Sequence, residues 1–214
     1  NLIINGAMQL AQRDTSSTSS GFHTVDRMHM SYGGHDEAPT QAQVDVASGT
    51  TPYTLGFRKA AKITNGNQTS SVGGTDFSQF LYRMEAQDIA NSGWNYTSSS
   101  SYITLSFWIK SSVAQVFTGS LRSIDGTSQS YKFNTPSLTA DTWTKVTKKI
   151  PGNSNLQFDN NEDVGLDIYL CFPYLGTDYS DSDANTETWV AATSGNYGNN
   201  MVSTWWTTND ATFE

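Results

Sequence analysis

The 214-residue chain is short of cysteine, proline and charge, with one Cys, five Pro and 15% charged residues. Cys171 has no intrachain partner, so the fold must depend on its core without a disulfide. Its place within a strand pattern favours a buried structural thiol over a nucleophile. The chain also lacks any apolar run of about 18 residues, so no segment is predicted to span a membrane.

Positive charge is scarce as well. Lys and Arg number 12 against 20 Asp and Glu, and the formal net charge is −8. Because phosphate binding requires a basic stripe or patch, the scattered basic residues exclude nucleic acid as an expected partner.

Two stretches, residues 102–110 and 164–172, have the two-residue period of half-buried strands. Each is apolar on one face only, which favours one sheet packed on another. The chain is therefore predicted to be an all-β sandwich with little helix, in a single domain over residues 1–214. The predicted core faces are Ile103, Leu105, Phe107 and Ile109 in the first stretch, and Val164, Leu166, Ile168, Leu170 and Phe172 in the second.

Shorter patterns predict the remaining strands. In residues 41–46, Ala42, Val44 and Val46 are expected to face the core, and Leu55 and Phe57 are expected to anchor a strand. Residues 88–93 are predicted to form one helical turn, and residues 176–200 the longest loop. Further strands are predicted at residues 2–11, 22–30, 53–63, 77–86, 113–121, 129–133, 142–150, 201–206 and 211–214.

Aromatic side chains are abundant, with six Trp and ten Tyr. A sugar ring stacks its apolar face on an aromatic plane while nearby polar side chains bind its hydroxyls. Trp108 lies on the outward face of its strand, where either a ligand or a covering loop or subunit would contact it. The candidate ligand-binding residues are Trp94 and Tyr96 in a polar loop, Trp108, and Tyr179, Trp189 and Tyr197 in the acidic loop region.

Metal and catalytic sites are not predicted. Residues 181–187 place oxygen ligands at every second position, but Ala192 stands where a calcium loop has its bidentate Glu. A weak structural calcium is the alternative retained there. His23, His29 and His35 are six apart, a spacing that does not favour zinc. Four acidic residues that could form a catalytic pair are interpreted as turn and surface residues: Asp159, Glu162, Asp163 and Asp167.

Several segments, taken in order, resemble a family of tailed-phage proteins that is common in marine phages and prophages. They are residues 1–6, 11–13, 25–27, 104–110, 142–152 and 210–214. The same frame is similar to carbohydrate-binding modules with the galactose-binding-like jelly roll. Met28 departs from the Trp that the phage proteins usually have, and residues 7–9 lack the acidic residue that helps the modules hold calcium.

The resemblance implies a jelly-roll domain on a tail fibre or other virion appendage. It implies a homo-oligomer, with a trimer favoured, whose partners are a cell-surface glycan and other virion proteins. The family's last strand usually runs past the position of Glu214, which implies a fragment of a longer protein. Trp205 or Trp206 is the expected meeting point of subunits.

The leading hypothesis is a glycan-binding, host-recognition domain without enzymatic activity. The alternatives are a carbohydrate-active enzyme, either a glycoside hydrolase or a lyase, and a purely structural module that decorates the virion.

Overall fold

The computed structural model describes residues 1–214, and antiparallel β-strands dominate it. The strands are β1 (Ser16–Ser17), β2 (Met28–Gly33), β3 (Thr40–Asp45), β4 (Lys59–Thr64), β5 (Phe77–Glu85), β6 (Tyr102–Ile109), β7 (Thr118–Ser123), β8 (Gln129–Asn134), β9 (Thr144–Pro151), β10 (Val164–Leu175), β11 (Ser180–Asp181), β12 (Trp189–Ala191), β13 (Gly198–Asn199) and β14 (Thr212–Phe213). The helices are α1 (Thr51–Thr54), α2 (Ala86–Ala90), α3 (Thr204–Thr207) and one 3-10 turn, Asp183–Asn185. None of these helices has the length and apolar character of a membrane span.

One layer of the sandwich is a continuous six-stranded sheet in the order β12-β8-β7-β10-β5-β2. The long strand β10 lies at its centre and pairs with β5 on one side and β7 on the other. We call this layer the closed sheet, because every strand from β8 to β5 is paired on both edges.

The other layer is assembled from two pieces, β1-β3-β4-β14 and the pair β6-β9. The amide nitrogens of Lys110 and Glu214 donate to each other's carbonyl oxygens at 2.9 and 2.8 Å, and Ser111 forms a bridge with Phe213. These contacts place β14 between β4 and β6. Since β14 has only two residues, β4 and β6 face each other across a gap beyond it. We call this layer the open sheet.

A single cluster of 30 buried residues fills the space between the layers. Leu105 and Ile109 of the open sheet and Ile168 of the closed sheet belong to it, whereas Phe107 and Leu170 pack against it in partly buried positions. The predicted all-β sandwich is confirmed, and its three α-helices have only four, five and four residues.

The alternation predicted for residues 164–172 is interrupted by register shifts on both sides of β10 after Tyr169. A bulge adds one residue to one strand and so reverses the facing of the side chains that follow. Cys171 consequently faces the main core, where burial raises the pKa of its thiol. Phe172, predicted for that core, instead joins Tyr169 in a second cluster on the outer face.

Local turn chemistry overturns the first part of the strand predicted at residues 53–63 and the whole of the strand predicted at residues 2–11, whereas residues 59–63 lie in β4 as predicted. Residues 51–54 form α1, since Pro52 suits the first helical turn, and Leu55 is 61% exposed instead of anchoring a strand. Residues 2–11 form turns, with Asn5 and Met8 at positive φ.

Val46, one residue beyond β3, is buried as predicted. The facing predicted for Ala42 and Val44 is wrong, because Gln41 is paired with the core residue Ile63 and Gln43 with Ala61. Directly paired residues share a face, so Ala42 and Val44 lie on the other side.

Trp205 and Trp206 both lie in α3 and are 0% and 1% exposed. The amide of Asn65 holds this segment by donating to the Trp206 carbonyl at 2.7 Å. The expectation that either Trp forms a subunit interface is therefore wrong: both belong to the core of the protomer.

Candidate functional site

A row of charged side chains crosses the outer face of the closed sheet. Asp167 of β10 lies directly opposite Arg83 of β5 and Arg122 of β7. The neighbours of Asp167 in sequence, Leu166 and Ile168, belong to the core, so alternation puts Asp167 on the outside.

Asp167 is buried among these cations. Its Oδ1 lies 3.3 Å from Nε of Arg83, whose side chain is 46% exposed while that of Asp167 is 9% exposed. Burial raises the pKa of the Asp167 carboxyl, and Arg83 and Arg122 oppose that change. Of this pair, the Arg83 guanidinium therefore faces solvent, and the Asp167 carboxylate lies beside it in a buried position.

Next to this row lies an aromatic patch that consists of Phe77, Tyr169, Tyr179 and Tyr197. Tyr169 stacks on Phe172 with ring centroids 5.1 Å apart and meets the edge of Tyr197 at 5.6 Å. Tyr179 lies 6.2 Å from Tyr197 and 5.8 Å from Phe77. Phe77, Tyr179 and Tyr197 remain partly exposed, whereas Tyr169 is buried beneath them. Burial is the main cause that raises the pKa of Tyr169.

The loop that carries Tyr197 is tied down to the sheet. Arg122 donates through both terminal nitrogens to the Thr193 carbonyl at 3.2 and 3.1 Å, and its guanidinium carbon lies 3.8 Å from the Tyr197 ring centre. Ser130 donates to the Asn196 carbonyl at 2.9 Å. The patch is thus held by backbone contacts and a cation–π contact, which favours a preformed surface.

His29 borders the same face from β2. It lies opposite Leu81 of β5, which in turn lies opposite Tyr169 of β10. Its ring contacts the edge of Phe22 at 4.8 Å. Burial lowers its pKa, and the positive charges of Arg83 and His23 lower it further, so the ring is neutral at pH 7.

Of the six predicted ligand-binding residues, only Tyr179 and Tyr197 lie in this patch. Trp94 and Tyr96 also contact each other, with ring centroids 6.3 Å apart, but elsewhere in the molecule. Trp108 is partly exposed on the open sheet and lines an apolar cavity there. Trp94 and Tyr96 pack around Phe158, at 6.4 and 4.9 Å between ring centroids. Trp94 is 8% exposed, because its ring closes one part of the core, and it offers no open face to a ligand.

Trp189 is likewise structural. Its indole nitrogen donates to the Pro151 carbonyl at 2.8 Å, and its ring packs 5.3 Å from Tyr131. Because β12 belongs to the closed sheet and Pro151 ends β9 of the open sheet, this bond ties the two layers together.

The acidic segment considered for calcium has other partners. Asp181 pairs with the fully buried Lys132, and Glu187 pairs with Lys148 at 2.6 Å. Burial lowers the pKa of Lys132. The carboxylates of Asp181 and Glu187 are thus both engaged in ion pairs with lysine side chains. The structure contains no group of three or more His, Cys, Asp or Glu side chains arranged to hold a metal ion.

Sequence reasoning assigned no role to Arg83 or Arg122, and it read Asp167 as a surface residue. The available signal was the alternation around Asp167 and Tyr169, which puts both on the outward face of β10. Strand order was needed to bring the arginines beside them, since β5, β10 and β7 are far apart in the chain.

No known protein family matches the chain, and no curated protein is significantly similar to it. Among solved structures, the chain is similar to the enzymatically active domain of tailspike protein 4 of bacteriophage CBA120, with a TM-score of 0.44 and 14% identity. The match covers 80% of this chain and 21% of that one, so the chain spans about a fifth of the length of the protein it matches.

That domain is described as enzymatically active, which contradicts the expectation of a domain without activity. The expectation rested on the absence of an apolar pocket around an acidic residue. The burial of Asp167 removes that ground, because alternation alone could not show how deeply the residue lies.

Proposed function

We propose that the domain recognises an extracellular glycan on the outer face of the closed sheet, as part of a phage virion appendage. The observation that carries the proposal is the juxtaposition of the aromatic patch with the Arg83–Asp167 pair. Aromatic rings suit the apolar faces of sugars, and the partly exposed Arg83 guanidinium suits a neighbouring hydroxyl.

The charge of the site favours a glycan with little negative charge. The cations that face it are already paired, Arg83 with Asp167 and Arg122 with the Thr193 carbonyl and the Tyr197 ring. The chain as a whole carries a formal charge of −8, which repels polyanions at low salt.

A glycan array on the purified domain tests the proposal. The best ligand should then bind Tyr197→Ala about tenfold more weakly, because a stacking face is lost. Tyr102→Ala is the matched control, since Tyr102 is an exposed tyrosine of the open sheet. Equal loss in both variants, or no loss in Tyr197→Ala, would contradict the assignment of the site.

Cleavage of the bound glycan is the second candidate, and Asp167 favours it. Asp167 lies in the charged row beside the aromatic patch, and burial raises the pKa of its carboxyl while Arg83 and Arg122 oppose that change. Incubation with candidate polysaccharides, followed by assays for reducing ends and for unsaturated products, distinguishes hydrolysis, elimination and simple binding. Loss of turnover in Asp167→Asn with binding retained would support catalysis at this position.

We further propose that several copies act together in a homo-oligomer, with a trimer favoured. A shallow sugar site binds weakly, and linked copies multiply the apparent affinity without new contacts. Light scattering gives the number of copies. Retention on dense and on sparse glycan surfaces then shows whether avidity depends on that number.

A further inference from the structure

Lys132 of β8 is a charged side chain without access to water. Its side chain is 0% exposed, although lysine almost always keeps its ammonium group in solvent. Its Nζ contacts the Asp181 carboxylate and donates to the Ser182 carbonyl at 3.1 Å. The buried amine therefore finds its partners in two consecutive residues of one segment.

That segment, residues 181–187, is fixed around Lys132 by its backbone. The amide of Glu187 donates to the Lys132 carbonyl at 2.8 Å, and Thr186 forms a parallel bridge with Lys132. Asp181 is paired with β13, and its carbonyl accepts from the amide of Asn200 at 2.8 Å. The amine and the carboxyl are thus held in contact from both sides, and a fixed contact of this kind greatly accelerates a reaction between two groups.

Burial also changes the protonation of the pair. It lowers the pKa of Lys132, because an ammonium ion out of water loses its hydration, and the negative charge of Asp183 opposes that change. Transfer of one proton from the ammonium group to the Asp181 carboxylate leaves a neutral amine beside a neutral carboxylic acid. A neutral pair costs less to bury than two ions, and a neutral amine is a nucleophile.

We propose that the side chains of Lys132 and Asp181 join in an isopeptide bond, which links β8 covalently to the segment of residues 176–200. A bond forms between Nζ of Lys132 and Cγ of Asp181, and the bond between Cγ and one carboxyl oxygen breaks. That oxygen leaves as water with the proton it carries and one proton of the amine, so the step consumes no oxidant or cofactor. The Asp181 side chain is 38% exposed, which gives the water a path to solvent.

The bond would fasten the segment that carries Tyr179 and Tyr197 to the closed sheet, whichever ligand the aromatic patch binds. With Cys171 as its only cysteine, the chain cannot form a disulfide within itself. Lys132 and Asp181 are 49 residues apart in the chain. An amide between them restricts the unfolded chain as a disulfide that closes a long loop does.

Mass spectrometry of the intact, denatured chain tests the proposal. The chain should weigh less than its sequence by the mass of one water. Trypsin cleaves after unmodified Lys and Arg, so the digest should contain peptide 123–145, uncleaved at Lys132, joined to the peptide that begins at Ile150 and contains Asp181. A mass equal to that of the sequence would overturn the proposal. Loss of water without joined peptides would overturn it as well, because ring closure at Asp125-Gly126 removes the same mass.

Two variants locate the bond. Asp181→Ala should restore the full mass of its sequence, and a denatured sample shows this even if the variant folds poorly. Glu187→Ala is the matched control, because Glu187 also pairs with a lysine, Lys148, and this variant should still lack one water. A missing water that persists in Asp181→Ala, or that is lost only in Glu187→Ala, would overturn the assignment.

Discussion

The two sheets of the sandwich differ in how far their backbone is paired. The closed sheet is continuous from β12 to β2, and its outer face carries the charged row and the aromatic patch. The open sheet is interrupted between β4 and β6, and its interruption exposes an apolar cavity. The same core thus lies beneath a continuously paired sheet on one side and an interrupted sheet with an apolar cavity on the other.

This difference separates two kinds of recognition. Side chains held on a paired sheet suit a small ligand, because their positions are set before binding. Free strand edges suit a polypeptide, because main-chain hydrogen bonds supply the affinity. The closed sheet is therefore where we place the glycan.

The largest effect is expected from a matched pair of phenylalanines that contact each other across the core, at 6.4 Å between centroids. Phe133 of the closed sheet is fully buried, and Phe133→Ala should cost about 3–5 kcal/mol. Phe107 of the open sheet already borders the cavity, so Phe107→Ala should cost about 2 kcal/mol.

Urea unfolding measures both losses of stability, on condition that the variants keep the m-value of the parent chain. Equal losses would mean that the cavity does not weaken the packing around Phe107.

The second effect is a pH dependence that arises around β2 of the closed sheet, because His29 lies in this strand and His35 lies two residues beyond its end. His35 packs on Trp206 with centroids 3.9 Å apart, and burial lowers its pKa to about 4. Its ordinary pKa is about 6.5, so the unfolded chain binds more protons between these values. Stability should fall as the pH drops from about 6.5 to about 4 and change little from this source below that.

Protonation of His35 should lower the free energy of unfolding by about 2 kcal/mol. This is less than the full difference between the two pKa values would give, since the ring keeps some contact with solvent. Urea midpoints between pH 4 and 7.5 measure it, and His35→Gln should flatten the slope. His29 contributes in the same direction. An unchanged slope in His35→Gln would assign the dependence to other groups.

The third effect concerns the tie between the sheets. Trp189→Phe keeps the aromatic packing on Tyr131 but removes the donor to the Pro151 carbonyl, which should cost about 1 kcal/mol. Thermal unfolding detects this loss. Trp143→Phe is the control, because Trp143 is a partly exposed Trp near the cavity for which no indole hydrogen bond is found.

The sequence predicted the fold better than the site. The clear alternation of residues 102–109 and 164–169 identified both central strands, because each has one apolar face. Turns and bulges were the sources of error, as at α1 and after Tyr169, since one added residue reverses every later side chain.

Aromatic residues alone could not locate the site. The sequence around Trp94 and Trp189 is as polar as the sequence around Tyr179 and Tyr197. The two Trp are nevertheless buried, whereas the two Tyr remain partly exposed. Burial depends on which strands lie beneath a loop, and a pattern within one segment contains no information about that.

The smallest effect should come from the ion pair at the rim of the open sheet, where Lys59 lies 2.6 Å from Asp45. The short distance suggests a strong contact, but the Asp45 side chain is 82% exposed, so water and salt screen the pair. Asp45→Asn should therefore change stability by no more than about 0.5 kcal/mol, and the change should vanish at 1 M salt. Urea unfolding at low and high salt measures both quantities. A larger, salt-resistant loss would mean that charge holds the β3–β4 edge in place beside the gap. A small loss would mean that main-chain pairing with β3 and burial of Ala61 and Ile63 hold β4 in place beside the gap.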